Sequence, residues 1–209
     1  MRPVIADHPA LMASGGRLSA WISRLEASMI AVGLGILGLS VITYLDIWAY
    51  QGINGLTLWV DAAAGGKARS TSGFRYFPGQ AMGWIEIPRL GISAIVAHGE
   101  DDNTLMRAVG HIPGTAFPGE GGNVGLAGHR DTFFRALEGI ERFDTIRLVM
   151  PDGVLEYGVV DVRVVRPSQV EVLDPTALPS LTLVTCYPFE YVGSAPYRYV
   201  VRAEERRSE

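Results

Sequence analysis

The chain of 209 residues contains a single cysteine, Cys186, and a single lysine, Lys67. A lone cysteine cannot close an internal disulfide or build a thiolate metal site. Three roles remain for it: a small buried hydrophobe, an incidental thiol, or a nucleophile. The other cations are arginines that never gather into a basic run, and the net charge is −4. The electrostatic footprint of a nucleic-acid binder is therefore missing, and no nucleic-acid partner is expected. No glycine-rich loop opens a helix, since the glycines from 119 to 125 lead into a strand-like run; nucleotide binding of that kind is excluded. His98, His111 and His129 lack the short spacing of zinc ligands. Glu100-Asp101-Asp102 reads as a solvated turn without a calcium-loop pattern. No cofactor and no metal are expected.

Charge is also missing from Ala27 to Leu45. As a helix this run spans ~28 Å, close to the ~30 Å hydrocarbon core of a bilayer. Its polar side chains, Ser28, Ser40, Thr43 and Tyr44, are too few for the polar stripe of a core helix. Tyr44, Trp48 and Tyr50 supply aromatic anchors at one end, and Trp21 lies near the other. A cleaved signal peptide has a short n-region and a nearby small-residue cleavage site. Here 26 residues precede the run and the nearest Ala-x-Ala, Ala62-Ala63-Ala64, lies far downstream. The reading is an uncleaved signal anchor. Arg17 and Arg24 precede it, and no basic residue follows until Lys67. That asymmetry keeps the N-terminus cytoplasmic and the C-terminal domain outside.

The expected organisation is a cytoplasmic tail (1–26), a transmembrane anchor (27–45), an extracytoplasmic linker (46–80) and a C-terminal domain (81–209). Glycines and serines break periodicity in the linker, with one short helix expected over Ile53 to Val60. From Met82 on the pattern is strand-like: Trp84 to Ile87, Ile92 to Ala97, Asn123 to Ala127, Leu181 to Thr185 and Tyr197 to Ala203. Thr145 to Met150 and Val154 to Val165 flank Pro151-Asp152-Gly153 as a hairpin, with the glycine supplying a left-handed turn residue. Helix is expected over Thr132 to Ile140, with Phe133, Leu137 and Ile140 on one face; Asp131 can cap its start or orient His129, and capping is favoured. A short helical turn is also expected near Thr104 to Val109. Many short strands between turns point to an all-β barrel or sandwich.

Three motifs go further. Thr182-Leu183-Val184-Thr185-Cys186 matches the TLxTC signature of sortases, membrane-anchored cysteine transpeptidases of bacteria. Gly121 to Asp131 resembles the segment carrying their catalytic histidine, at His129. Ala195 to Val201 resembles the strand opened by their active-site arginine, at Arg198. The three occur in the family's order, the resemblance covers roughly residues 81 to 203, and the Tyr187-to-Pro196 stretch is most similar to class D sortases. The resemblance implies a closed eight-stranded β-barrel with short helices, behind one N-terminal transmembrane helix.

It also implies a chemistry that these residue types suit. A free thiol has a pKa of ~8.5 and reacts as thiolate. An imidazole can take its proton and later protonate the leaving amine. A planar guanidinium can hold a carbonyl or developing oxyanion. The implied substrates are secreted proteins with a C-terminal LPxTG-like sorting signal. The implied acceptor is an amine, from a peptidoglycan precursor or a pilin lysine, and the anchor's partner is membrane lipid. An L,D-transpeptidase is disfavoured, because its histidine sits two residues before the cysteine in a Ser-His-Gly-Cys context. A catalytically inactive, membrane-tethered barrel that binds peptides or assists assembly is the alternative. His111 is the rival to His129 for the base. Spacing alone does not bring His129 to the same rim as Cys186.

Overall fold

The computed structural model describes residues 15–63 and 76–206. The beginning of the expected tail and residues 64–75 of the expected linker lie outside the described residues. The chain divides into two units, Met1–Asp46 and Ile47–Glu209.

The first unit is built on helix α1, which runs from Gly15 to Ala63 and so crosses the boundary. Within its apolar stretch, Arg24–Thr57, the most apolar window has a mean hydropathy of 2.0, and none of that window is buried. A helix that is apolar all round and uncovered fits a membrane span better than a core element. Lipid offers no hydrogen bonds, so each polar group must be satisfied internally. The hydroxyls of Ser28, Ser40 and Thr43 comply by donating to the carbonyls of Arg24, Ile36 and Leu39, at 2.8, 2.9 and 3.0 Å. Back-bonding of this kind leaves the helix without a polar face.

In the second unit the described start of the expected linker is helical. Residues 46–63 continue α1 through Gly52 and Gly55. Each glycine costs a helix about 1 kcal/mol relative to alanine, but side chains dock this segment on the barrel. Tyr50 donates to the Gly79 carbonyl at 2.8 Å. The Gln51 amide donates to the Arg107 carbonyl at 2.6 Å and accepts from the Ile95 amide at 2.9 Å. Tertiary contacts that local propensity does not register account for the difference.

The barrel strands are β1 (Ala81–Ile87), β2 (Ile92–His98), β3 (Val109–His111), β4 (Asn123–Ala127), β5 (Thr145–Met150), β6 (Gly153–Val165), β7 (Ser180–Tyr187) and β8 (Tyr197–Glu205). They close in the order β1-β2-β3-β4-β7-β8-β6-β5. Pairs β2–β3 and β4–β7 are parallel and the others antiparallel. β3 was not anticipated, since three residues are too few for alternation to show. Helix α2, Asp102–Arg107, precedes it and is capped by Asp101, whose carboxylate accepts from the Thr104 amide and hydroxyl.

Inward residues of the strands, Ile85, Ile87, Leu126, Ile146, Leu148, Leu181, Leu183 and Val201, form one core with Phe134 and Leu137. Strand alternation aims these side chains inward while their neighbours face out. The hairpin turn consists of Pro151 and Asp152, with Met150 paired to Gly153 and Gly153 at φ +148°. The glycine thus closes the ladder just after the turn rather than occupying a left-handed corner. Where helix was expected over Thr132 to Ile140, turns lead into a short 3-10 segment, Arg135–Gly139. Its buried aromatic is Phe134 rather than Phe133.

Candidate active site

Cys186 and Arg198 are register partners on the antiparallel pair β7–β8. Directly opposed residues in such a pair share a face, with Cβ atoms ~5 Å apart. A single cross-strand step therefore joins the thiol and the guanidinium stem. On its other side Arg198 pairs with Val165 of β6. Its Nη1 donates to the carbonyls of Ala195 and Tyr197 at 3.3 and 3.0 Å, which anchors one edge of the fork.

His129 reaches this rim through the parallel pair β4–β7. Ala127 is opposite Val184, and the ladder continues beyond the strand, with the Gly128 amide donating to the Val184 carbonyl at 3.2 Å. Thr185, almost wholly buried, donates its hydroxyl to the Gly128 carbonyl at 2.7 Å. The histidine segment is thus pinned along β7 to the residue before Cys186. Gly128 serves here for space rather than for a turn. A Cβ at this position would lie 2.7 Å from the Phe134 ring.

His129, Cys186 and Arg198 all line one cleft of about 360 Å³. Ala127, Val184 and Val200 contribute apolar walls, as do Pro167, Val170, Val172 and Leu173 from the β6–β7 connection. Glu100 and Arg166 are its other charged lining residues. Cys186 is half-buried and free of any disulfide. A second hollow of about 400 Å³, between Gln51, Gly55, Trp84 and Ile95, is lined by no cysteine, histidine or charged residue.

His111 does not reach the cleft. It is fully buried, its Nε2 is 2.9 Å from the Ala116 carbonyl, and its Nδ1 is 3.2 Å from Nδ1 of His98. Phe117 stacks on its ring at 4.8 Å. Because Nε2 faces a carbonyl, it carries the hydrogen, and Nδ1 accepts from His98. Burial holds the His111 pKa below the usual imidazole range; the Ala116 carbonyl opposes that shift and His98 adds to it. Among the described residues, no three His, Cys, Asp or Glu side chains gather as a metal site.

Two side chains behave differently from expectation. Asp131 does not cap a helix: the 3-10 segment starts after Phe134 and has no side-chain cap. Asp131 is exposed, with Oδ1 at 3.4 Å from Nε of Arg130. Arg130 does not stand out in the sequence, because an arginine reads by default as a solvated surface residue. It is in fact buried, and it donates to the carbonyls of Pro188, Tyr191 and Gly193 in the β7–β8 loop. Its position immediately after His129 is the only local signal.

A closed barrel whose cleft carries a cysteine, an arginine one strand across and a histidine on the adjoining ladder defines the class of barrel-type cysteine transpeptidases. The chain belongs to the sortase family: a family profile described as a sortase domain matches residues 85–206. It is 35% identical to Sortase D of Bacillus subtilis over 136 residues, covering 65% of this chain and 69% of that protein. It is 33% identical to Sortase SrtE1 of Streptomyces coelicolor over 199 residues, covering 82% of this chain and 54% of that longer protein. Among solved structures, a Clostridium perfringens Sortase D5 transpeptidase superposes with a TM-score of 0.66 at 23% identity, covering 76% of this chain and 99% of that one. A lid mutant of Sortase A from Corynebacterium diphtheriae gives 0.59 at 28% identity, covering 68% of this chain and 77% of that one.

Proposed function

We propose that this sortase is anchored in the cytoplasmic membrane by α1, with its barrel outside. There it cleaves an LPxTG-like sorting signal and transfers the acyl group to an amine. The observation that carries the reading is the meeting of Cys186, Arg198 and His129 on one partly apolar cleft. The Cys186 thiolate attacks the carbonyl carbon of the signal's threonine, forming a C–S bond. The scissile C–N bond then breaks, and His129 in its imidazolium form gives the leaving amine its proton. The acceptor amine attacks the thioester, His129 takes its proton, and the thiolate leaves. Arg198 donates to the oxygen that gains charge in both steps. The apolar walls suit the leucine and proline of such a signal. Arg17 and Arg24 on one side of the apolar run support the orientation.

Full-length protein in detergent micelles is incubated with a sorting-signal peptide, with and without an added amine. The expected result is cleavage at the threonine, a covalent adduct of the acyl fragment on Cys186 seen by mass spectrometry, and a ligated product when amine is present. Binding without cleavage would favour the inactive-barrel alternative. A C-terminal reporter active only in the cytoplasm should be silent, and a strong signal from it would reverse the orientation.

A further inference from the structure

Arg130 is the most unusual side chain next to the cleft. Its residue is only 6% exposed, and its guanidinium faces three backbone carbonyls, those of Pro188, Tyr191 and Gly193. Its buried Nε makes no hydrogen bond, and its nearest counter-charge is the exposed Asp131 carboxylate at 3.4 Å. A buried cation costs free energy unless its donors are satisfied, and here three backbone carbonyls satisfy most of them. Natural sequences retain such local penalties where a site needs them.

What the arginine holds is the β7–β8 loop, the connection from Cys186 to Arg198. The loop has little structure of its own. Its internal backbone bond is Tyr191 to Pro188, at 3.3 Å. Phe189 is buried near its start against Tyr199, whereas Val192 is 95% exposed. Beyond Phe189, two arginines tie the loop to the barrel body by hydrogen bonds. Arg130 holds Tyr191 and Gly193, and Arg198 holds Ala195. The second tie also works in reverse, because the Ala195 carbonyl anchors one edge of the Arg198 fork.

We propose that Arg130 is a positioning residue that fixes the β7–β8 loop and, through the Ala195 carbonyl, the orientation of the Arg198 guanidinium. The inference rests on the catalytic role proposed for Arg198. Arg130 adjoins His129 in sequence, so one backbone segment sets both the histidine and the far end of the arginine's loop. Loss of the tether displaces the Arg198 donors from the reacting oxygen, and a displacement of ~1 Å can cost roughly 10²-fold in rate.

The test is a double-mutant cycle on full-length protein in micelles, using Arg130→Gln, Arg198→Lys and the pair. Arg130→Gln is expected to lower kcat roughly 10²-fold with a smaller change in KM. If it acts through Arg198, the double variant is no slower than Arg198→Lys alone, whereas independent effects would multiply. A second readout needs no catalysis: a nitroxide on Val192→Cys, in a Cys186→Ala background, should become markedly more mobile with Arg130→Gln. Multiplying losses, kcat within threefold of the parent, or an unchanged nitroxide spectrum would each overturn the proposal. If Arg130→Gln unfolds, Arg130→Lys carries the same cycle, and unfolding of both overturns it, because a residue required by the whole barrel is not a loop tether. A parent protein that cleaves no sorting peptide would refute the functional reading, while the nitroxide result would still decide whether Arg130 holds the loop.

Discussion

Two histidines on neighbouring strands meet opposite fates. His111, ending β3, is sealed under Phe117 with both ring nitrogens engaged; His129, two residues past the end of β4, lines the open cleft beside Cys186. One belongs to the packing of the barrel, and the other is the one we propose for its chemistry. The difference lies in the path of the chain just beyond each residue. After His111 the chain folds back to give the ring a carbonyl at Ala116, whereas after His129 the Thr132 and Phe134 amides bond back to its own carbonyl and leave the ring at the cleft.

The comparison can be broken at its sharpest point first. Cys186→Ala should abolish cleavage and ligation outright while leaving the melting temperature near that of the parent; residual turnover would remove the thiol from the mechanism. His129→Ala should lose 10²–10⁴-fold in turnover, the usual contribution of a positioned acid–base group, with the circular dichroism spectrum unchanged. Arg198→Lys keeps the charge but not the planar fork, and should lose on the order of 10²–10³-fold, in kcat more than in KM. His111→Ala should show the reverse pattern, with turnover per folded molecule retained. Stability should drop by about 1–3 kcal/mol because the Ala116 carbonyl and His98 lose their partner. A collapse of turnover in folded His111→Ala, with near-normal rates in His129→Ala, would exchange the two assignments.

The smallest effect is a pH slope. The folded-state pKa of His111 lies below the ordinary value, chiefly through burial, while the unfolded chain titrates near ~6.5. Neutral His111 therefore contributes its full stability above about pH 6.5. As pH falls below that, the unfolded chain binds a proton that the folded one refuses. Stability should then decline by up to about 1.4 kcal/mol per pH unit. Asp101 and Asp144 are held below the usual carboxylate range by hydrogen bonds from Thr104 and Arg89 respectively. Their contributions are lost only at lower pH, below about 4, so the window from about pH 6.5 to 5 isolates the histidine. Thermal melts across that window should slope in the parent and flatten in His111→Phe; equal slopes would place the titration elsewhere.

Much of the barrel was legible because half-buried strands write their alternation into the sequence. Asn123–Ala127 and Thr145–Met150 have the expected ends, and β7 and β8 differ only at their termini. The Cys186–Arg198 pairing was legible too, since two strands joined by one loop have their joined ends at one edge. His129 was not placeable, because its position depends on a parallel pairing between strands more than fifty residues apart, and no local pattern encodes that register. Gly52 and Gly55 masked a helix that Tyr50 and Gln51 hold from a distance. Arg130 escaped for the same reason: burial of a charge is decided by carbonyls some sixty residues away.

Closure of the sheet also limits how a peptide can be read. An open sheet captures an extended chain by adding it as one more strand, a mode that tolerates almost any side chain. Around β3, among the described residues, this barrel leaves no such opening. Beside its shortest strand, β3, the spare Ile95 amide is capped by Gln51, and the neighbouring groups of β4 are taken by Ile112, Thr115 and Ala116. A visiting chain has no ladder to join at that strand, and we propose that its affinity comes from side chains seated in the cleft. Under the proposed function, the sorting signal is thereby read as a spelling rather than a conformation.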